Sequence, residues 1–334
     1  MPAAAIYGCA GPSLTVEEKS FFRDADPWAF IVFARNIDTP EQLRALAAEM
    51  RETVGREAPI LIDQEGGRVA RLKPPHWRAA PPMARFGEAY ALAPEKALEL
   101  ARRNAQLLAD ELRSVGVTVN CVPVLDVPQP GAHDIIGDRA LSTDPVVIAA
   151  LGRSVIEGTL AGGVAPIIKH IPGHGRALAD SHLELPTVDA SAEDLAAIDF
   201  APFRALADAP MAMTAHVVYS ALDAERPATT SPTVVAEIIR GAIGFDGLLM
   251  TDDLSMKALD GAMVDRCRSS LAAGCDMLLH CNGDMPEMRA IASIAPALSG
   301  RAAERARAAE GAIRPAIEAV DLAAAFTEFD RAFA

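Results

Sequence analysis

Val164-Ala165-Pro166-Ile167-Ile168-Lys169-His170 is an apolar run that ends in two polar residues. It is followed at once by Ile171-Pro172-Gly173-His174-Gly175, where a proline and two glycines disfavour regular structure. An apolar run of this length, bounded by breakers, reads as a buried strand. Seven further runs have the same form: Ala4 to Cys9, Phe30 to Ala34, Pro59 to Asp63, Val117 to Asp126, Met211 to His216, Leu248 to Asp252 and Asp276 to Cys281. Longer segments with helical periodicity separate most of them, notably Pro40 to Val54, Pro94 to Ser114 and Pro145 to Leu160. Strands alternating with helices predict parallel pairing, and about eight such units predict an α/β fold closed into a (β/α)8 barrel.

Helix-start chemistry agrees with this parsing. Thr15 and Glu18 are spaced for a capping box, and Thr39-Pro40, Asp144-Pro145 and Ser231-Pro232 each place a capping side chain before an N1 proline. The Ala- and Arg-rich stretch from Ser299 to Ala334 reads as terminal helices packed on the barrel. With no linker, repeat or low-complexity segment in view, residues 1–334 are expected to form a single barrel domain, a size this architecture reaches as one unit.

Composition narrows the function. The chain is 51% hydrophobic and 23% charged, which allows a sizeable core. Its formal net charge of −14 argues against a general nucleic-acid partner, because phosphate binding needs clustered Lys and Arg. Five cysteines without a CxxC pair read as reduced structural thiols. The N-terminus lacks an export signal and no apolar stretch would span a bilayer, so a cytoplasmic protein without a membrane partner is expected. GxGxxG after the first strand, GxxxxGK[ST] and GxSxG are all absent, which removes support for nucleotide-dependent chemistry and serine hydrolysis.

Polar residues gather at the C-terminal ends of the runs: Asp63-Gln64-Glu65, Lys169-His170, His216 and Asp252-Asp253. In a (β/α)8 barrel that face carries the active site, so these ends are expected to converge on one pocket. Beyond His170 the chain runs through a Gly-rich loop carrying His174, Asp180 and His182. A carboxylate two residues from an imidazole can fix its tautomer and stabilise its protonated form, which makes Asp180 and His182 a candidate general acid/base pair. A strand-end carboxylate is a candidate nucleophile. Successive side chains diverge, so one of Asp252 and Asp253 faces the pocket; Asp252 is the expected one, and the reverse stays open. The His and Asp residues also raise a metal site, but their spacing matches no HExxH-like motif, and no metal or cofactor is expected.

These residues resemble the family 3 glycoside hydrolases. Within them, Lys169 to His182, with its KH-x-PGHG and DSH elements, and Thr251-Asp252-Asp253-Leu254-Ser255-Met256 are similar to the bacterial β-N-acetylglucosaminidases of peptidoglycan recycling. Asp63-Gln64-Glu65-Gly66-Gly67-Arg68-Val69, Phe33-Ala34-Arg35-Asn36, Gly137-Asp138-Arg139 and Met213-Thr214-Ala215-His216 extend the likeness over most of the chain. Ile171 stands where an aromatic is common, and Thr251 where Ser often precedes the nucleophile. The resemblance implies a (β/α)8 barrel that removes a non-reducing terminal N-acetylglucosamine from anhydro-muropeptides, with retention of configuration. It implies Asp252 as nucleophile, His182 as acid/base and Asp180 as its dyad partner. Asp63, Arg71, Arg139, Lys169 and His170 would bind the sugar. Some relatives draw a carboxylic acid/base from a second domain; this chain is expected to use its barrel loop instead. Three rival readings remain: substrate-assisted hydrolysis, phosphorolysis of the same substrates, and a non-catalytic barrel that binds amino sugars.

Overall fold

The computed structural model of the chain describes residues 1–181, 183–314, 327, 329 and 331. Eight parallel strands close into a barrel: β1 (Ala3–Tyr7), β2 (Pro27–Val32), β3 (Ile60–Ile62), β4 (Val119–Asn120), β5 (Ala165–Ile171), β6 (Met211–Thr214), β7 (Leu248–Asp253) and β8 (Met277–His280). Each strand pairs with its neighbour in sequence, and β8 returns to β1 through the register Ala5↔Leu278, Ile6↔Leu279 and Tyr7↔His280. This is the (β/α)8 barrel expected from the alternating pattern, and every predicted run overlaps one of its strands. The run Val117 to Asp126 exceeds its strand because a ladder donor is missing. Pro123 has no N–H to give, so regular pairing stops at Asn120 and a single bridge, Val124↔Lys169, continues the line.

The period-two alternation of the strands sorts the core into an inside and an outside. Ile6, Ile31, Leu61, Val119, Ile167, Met213, Met250 and Leu279 fill the barrel. Their strand neighbours Tyr7, Phe30, Val32, Ile60 and Ile62 face the surrounding helices. Fully buried on both faces, the strands have no need of a polar alternation, which is why the sequence shows continuous apolar runs.

Helices begin where capping chemistry was expected. Thr15 and Glu18 form the reciprocal capping box of Val16–Ala25. Thr39 accepts from the Gln42 N–H ahead of Pro40–Val54, and Asp144 accepts from the Val146 N–H ahead of Pro145–Ala161. Ser231 accepts from the Val234 N–H. Helix Pro94–Ser114 has the bounds its periodicity predicts. Of the predicted terminal helices, Gly300–Glu310 is present, and most of the remainder lies outside the described residues. That helix places Ala303, Ala306 and Ala309 under the N-terminal end of the barrel, where Trp28 donates to Glu310 at 2.7 Å. The barrel interior is thereby closed at that end, and the strand-end polar residues lie at the other. Among the described residues, no helix is long and apolar enough to cross a membrane.

Candidate active site

A cleft of about 310 Å³ opens at the C-terminal end of the strands. Asp63, Arg71, Arg139, Lys169, His170 and Asp252 all line it, although they span 190 positions of sequence from the first to the last. The loop after β3 is folded back by Gln64, a fully buried side chain. Its Oε1 accepts the Arg71 and Leu72 N–H groups, and its Nε2 donates to the Leu72 carbonyl. Gly66 and Gly67, at φ of 107° and 54°, make the reversal that lets Arg71 return over Asp63.

A charge cluster forms the floor. Lys169 Nζ lies 2.7 Å from both Asp63 Oδ1 and Glu65 Oε1. Arg139 grips Glu65 in a two-pronged pair, with Nε and Nη2 each 2.9 Å from a carboxylate oxygen. Arg71 reaches the second Asp63 oxygen at 3.2 Å. Burial by itself would raise the Asp63 carboxyl, but Lys169 and Arg71 outweigh it and hold the group below the usual carboxylate range. Glu65 is held down in the same way by Lys169 and Arg139. Burial works against the Lys169 charge too, and the two carboxylates more than compensate, raising its affinity for the proton. The floor therefore stays fully ionised at neutral pH, with three cations and two anions whose spare donors and acceptors suit neutral hydroxyls.

His170 is set by a residue that the motif reading passed over. Asp126 Oδ2 lies 2.7 Å from His170 Nδ1, while Asp126 Oδ1 accepts the N–H groups of His170 and His174 at 3.1 and 2.7 Å. Burial tends to raise the Asp126 carboxyl, and His170 and His174 reverse this, bringing it down to about 2. A carboxylate on Nδ1 fixes the ring and leaves Nε2 as its remaining polar atom. Glu65 was likewise visible only as a strand-end residue without a role. Both belong to strand-end runs, and the pairing across strands that gives them their function is not a local signal.

Two further expectations separate. Asp252 and Asp253 both line the cleft, but the Asp253 carboxylate is occupied by the turn. It accepts from the Ser255 N–H and hydroxyl and from the Cys281 N–H, while Asp252 Oδ1 accepts the Asp253 N–H. His216, expected at the pocket, is fully buried behind it. Its Nδ1 meets Thr229 Oγ1 at 2.6 Å and its Nε2 the Asp253 carbonyl at 3.0 Å, and burial lowers its pKa. Its strand end turns it toward the turn that carries Asp253, so it supports the site from behind. Ser181 is part of the cleft wall and Asp180 is not; Asp180 sits in a turn whose carbonyl accepts the Leu183 and Glu184 N–H groups. His182 lies outside the described residues.

All five cysteines are free and buried. Cys281 borders the cleft, where burial and the neighbouring Asp253 and Asp63 keep its thiol protonated. Thiolate chemistry is therefore disfavoured, and the oxygen nucleophile available at a strand end is a carboxylate.

A cleft with an ionised floor, a tethered imidazole and a strand-end carboxylate is the equipment of a glycosidase, and similarity to known proteins points the same way. Residues 15–310 match the model of the glycosyl hydrolase family 3 N-terminal domain. A β-hexosaminidase of Bordetella avium is 39% identical over 285 residues, covering 84% of this chain and 81% of that protein. One from Thiobacillus denitrificans is 41% identical over 279 residues, covering 82% and 76%. The crystal structure of native NagZ from Neisseria gonorrhoeae superposes with a TM-score of 0.89 at 31% identity, covering 100% of this chain and 98% of that one. The same protein in complex with N-trifluoroacetyl-D-glucosamine gives 0.89 at 30% identity, again with 100% and 98% coverage. The chain belongs to glycosyl hydrolase family 3, and it is a glycoside hydrolase of the β-hexosaminidase type.

Proposed function

We propose that this family 3 hydrolase is a retaining exo-β-N-acetylglucosaminidase that releases non-reducing terminal N-acetylglucosamine from cytoplasmic peptidoglycan fragments, with residues 1–334 acting as one catalytic barrel. The observation that carries the reading is the convergence of Asp252 with the Asp63–Lys169–Glu65–Arg139 cluster and His170 in one small cleft. About 310 Å³ is at the lower limit of ligand sites, which suits one sugar ring and hence removal of a terminal residue. Complex formation between the gonococcal relative and an N-acylated glucosamine supports an amino sugar as the occupant.

In this reading Asp63, with Arg71, Arg139 and Lys169, directs hydrogen bonds at the sugar hydroxyls, and His170 presents Nε2 to the ring. Asp252 attacks the anomeric carbon while protonated His182, supported by Asp180, gives its proton to the departing oxygen. The C–O bond to the leaving group breaks as the carboxylate bond forms. Neutral His182 then removes a proton from water, which attacks the same carbon and frees Asp252. Two inversions retain the β configuration. Removing the general acid or base is expected to cost about 10²–10⁴-fold.

The test is release of chromophore from an aryl β-N-acetylglucosaminide, combined with mass spectrometry after treatment with a 2-fluoro sugar. A covalent adduct on Asp252, and loss of turnover in Asp252→Ala, are expected. An adduct elsewhere or turnover retained by Asp252→Ala would sink the nucleophile assignment, and a sugar phosphate product in phosphate buffer would turn the reading to phosphorolysis.

A further inference from the structure

The loop that carries Asp180 has two differently secured halves. Its base, residues 173–177, is fixed on several sides. Asp126 accepts the His174 N–H at 2.7 Å, and Tyr219 donates its hydroxyl to the Gly173 carbonyl at 2.6 Å. Arg176 pairs with Asp199 at 2.6 Å, and the Gln129 N–H donates to the Gly175 carbonyl at 3.1 Å. Gly175 lies so close to the Val127 backbone that a Cβ there would collide with it. The second half is different. Leu178 and Leu183 are 70% and 64% exposed, so the tip lacks a hydrophobic anchor of its own at these positions.

Between those two leucines, Ser181 turns inward and is 4% exposed. Its Oγ lies 3.1 Å from His174 Nε2, which ties the tip to the secured base. Its carbonyl accepts the Ala258 N–H at 3.3 Å, which ties the tip to the segment leaving β7, the strand that ends in Asp252 and Asp253. His174 is itself 3% exposed, and its Nδ1 is buried without a partner. An orphaned buried N–H costs more than an orphaned lone pair, so the favoured tautomer carries its proton on Nε2 and donates it to Ser181. Burial and the adjacent His170 lower the His174 pKa to about 4, so the ring is neutral at working pH and can take this tautomer.

We propose that His174 and Ser181 form a latch, anchored on Asp126, that positions the catalytic loop, and that Ser181 is a positioning residue for the acid/base step. The inference rests on the reading of this loop as the carrier of the general acid. Asp126 then serves two neighbouring parts of the cleft wall, because the same carboxylate that holds the His170 ring also holds the main chain of His174. Ser181 touches neither of the reacting atoms in this assignment; it acts through the position of its neighbours Asp180 and His182.

The test uses the full-length chain with Ser181→Ala, Ser181→Thr and His174→Gln. A mispositioned acid matters only where the leaving group needs a proton. Because kcat/KM reports the steps through glycosylation, its dependence on leaving-group pKa isolates proton donation. Ser181→Ala is expected to lower kcat/KM by about tenfold or more for an unsubstituted phenyl β-N-acetylglucosaminide, the value of roughly one hydrogen bond. For the 2,4-dinitrophenyl substrate it is expected to change little. Ser181→Thr, which keeps a hydroxyl, should recover most of the loss, and His174→Gln, whose side-chain N–H can donate to Ser181 in place of Nε2–H, should lose less on the phenyl substrate than Ser181→Ala. Hydrogen exchange of the peptide covering residues 178–185 should speed up in Ser181→Ala while that of residues 165–171 is unchanged. Equal loss on both substrates, or unaltered exchange at the tip, would overturn the latch. If the wild-type chain hydrolyses no aryl glycoside, the functional reading fails on its own and the exchange measurement still decides whether the latch exists.

Discussion

Replacing Lys169 by Met tests the ionised floor of the cleft. Lys169 is 2% exposed, and its ammonium lies 2.7 Å from an oxygen of each of two carboxylates. At an effective dielectric of about 20, each contact at that distance is worth roughly 6 kcal/mol of Coulomb energy, most of which offsets the cost of taking three charges out of water. Methionine fills a similar volume but leaves Asp63 with Arg71 alone and Glu65 with Arg139 alone. Breaking a buried pair by removing one partner costs about 3–5 kcal/mol. For a chain of 334 residues, an unfolding entropy of about 2.1 cal/mol/K per residue gives roughly 0.7 kcal/mol/K, so Tm should fall by about 4–7 °C near pH 7.5.

The loss should also depend on pH. In the wild type both carboxyls are held below their unfolded values, so their contribution is present above about pH 4 and is lost as pH falls through that range. In Lys169→Met burial is opposed by one cation fewer, both carboxyls bind protons more readily, and acid relieves the uncompensated charge. Calorimetry at a fixed scan rate should therefore show the gap between the two proteins shrinking from pH 7.5 to pH 5. A gap that is under about 1 °C, or that stays constant over this range, would refute the account of the floor as a mutually dependent set of buried charges.

Three other outcomes follow from the same contacts. Burial raises the Asp199 carboxyl to about 6, with Arg176 limiting the rise, so its contribution is present below about pH 4 and lost as pH climbs through 6; Asp199→Asn should gain in Tm relative to the wild type between pH 4.5 and 7.5. Gly175→Ala should lower Tm by the equivalent of about 1–3 kcal/mol or more and reduce turnover, because a methyl there meets the Val127 backbone rather than a movable side chain. Asp144→Ala removes the cap that accepts the Val146 N–H, from a residue that does not line the cleft; a loss of about 1 kcal/mol in a denaturant titration with kcat unchanged is expected.

Much of the barrel could be read in advance because its signals are local. Buried parallel strands show as unbroken apolar runs, and Thr39-Pro40 and Asp144-Pro145 mark helix starts with chemistry confined to a few residues. The strand-end rule also brought Asp63, Lys169, His170 and Asp252 to one place, since closure of the barrel makes all C-terminal ends neighbours. It overreached at His216, because a strand-end side chain can turn behind the pocket as well as into it, and no periodicity distinguishes these before the loops are in place.

What stayed hidden is a matter of pairing. Asp126 ends one apolar run and His174 sits 48 residues later, and nothing in either segment announces the other. The bond exists because β4 and β5 are adjacent in the barrel, so the loops that leave them share a wall. Glu65 and Arg139 meet for a similar reason, across 74 residues. The residues named from sequence are those whose chemistry shows in their own neighbourhood. Those missed act by holding another residue still, and that role needs a partner supplied by topology. Such a division has a consequence for reading mutational data on this chain. Substitutions at Asp126, Glu65 or Ser181 are expected to damage activity without any of the three being a group that attacks, protonates or leaves, so loss of turnover alone would misassign them. Leaving-group dependence, pH profile and exchange at the loop tip separate the groups that react from those that hold them in place.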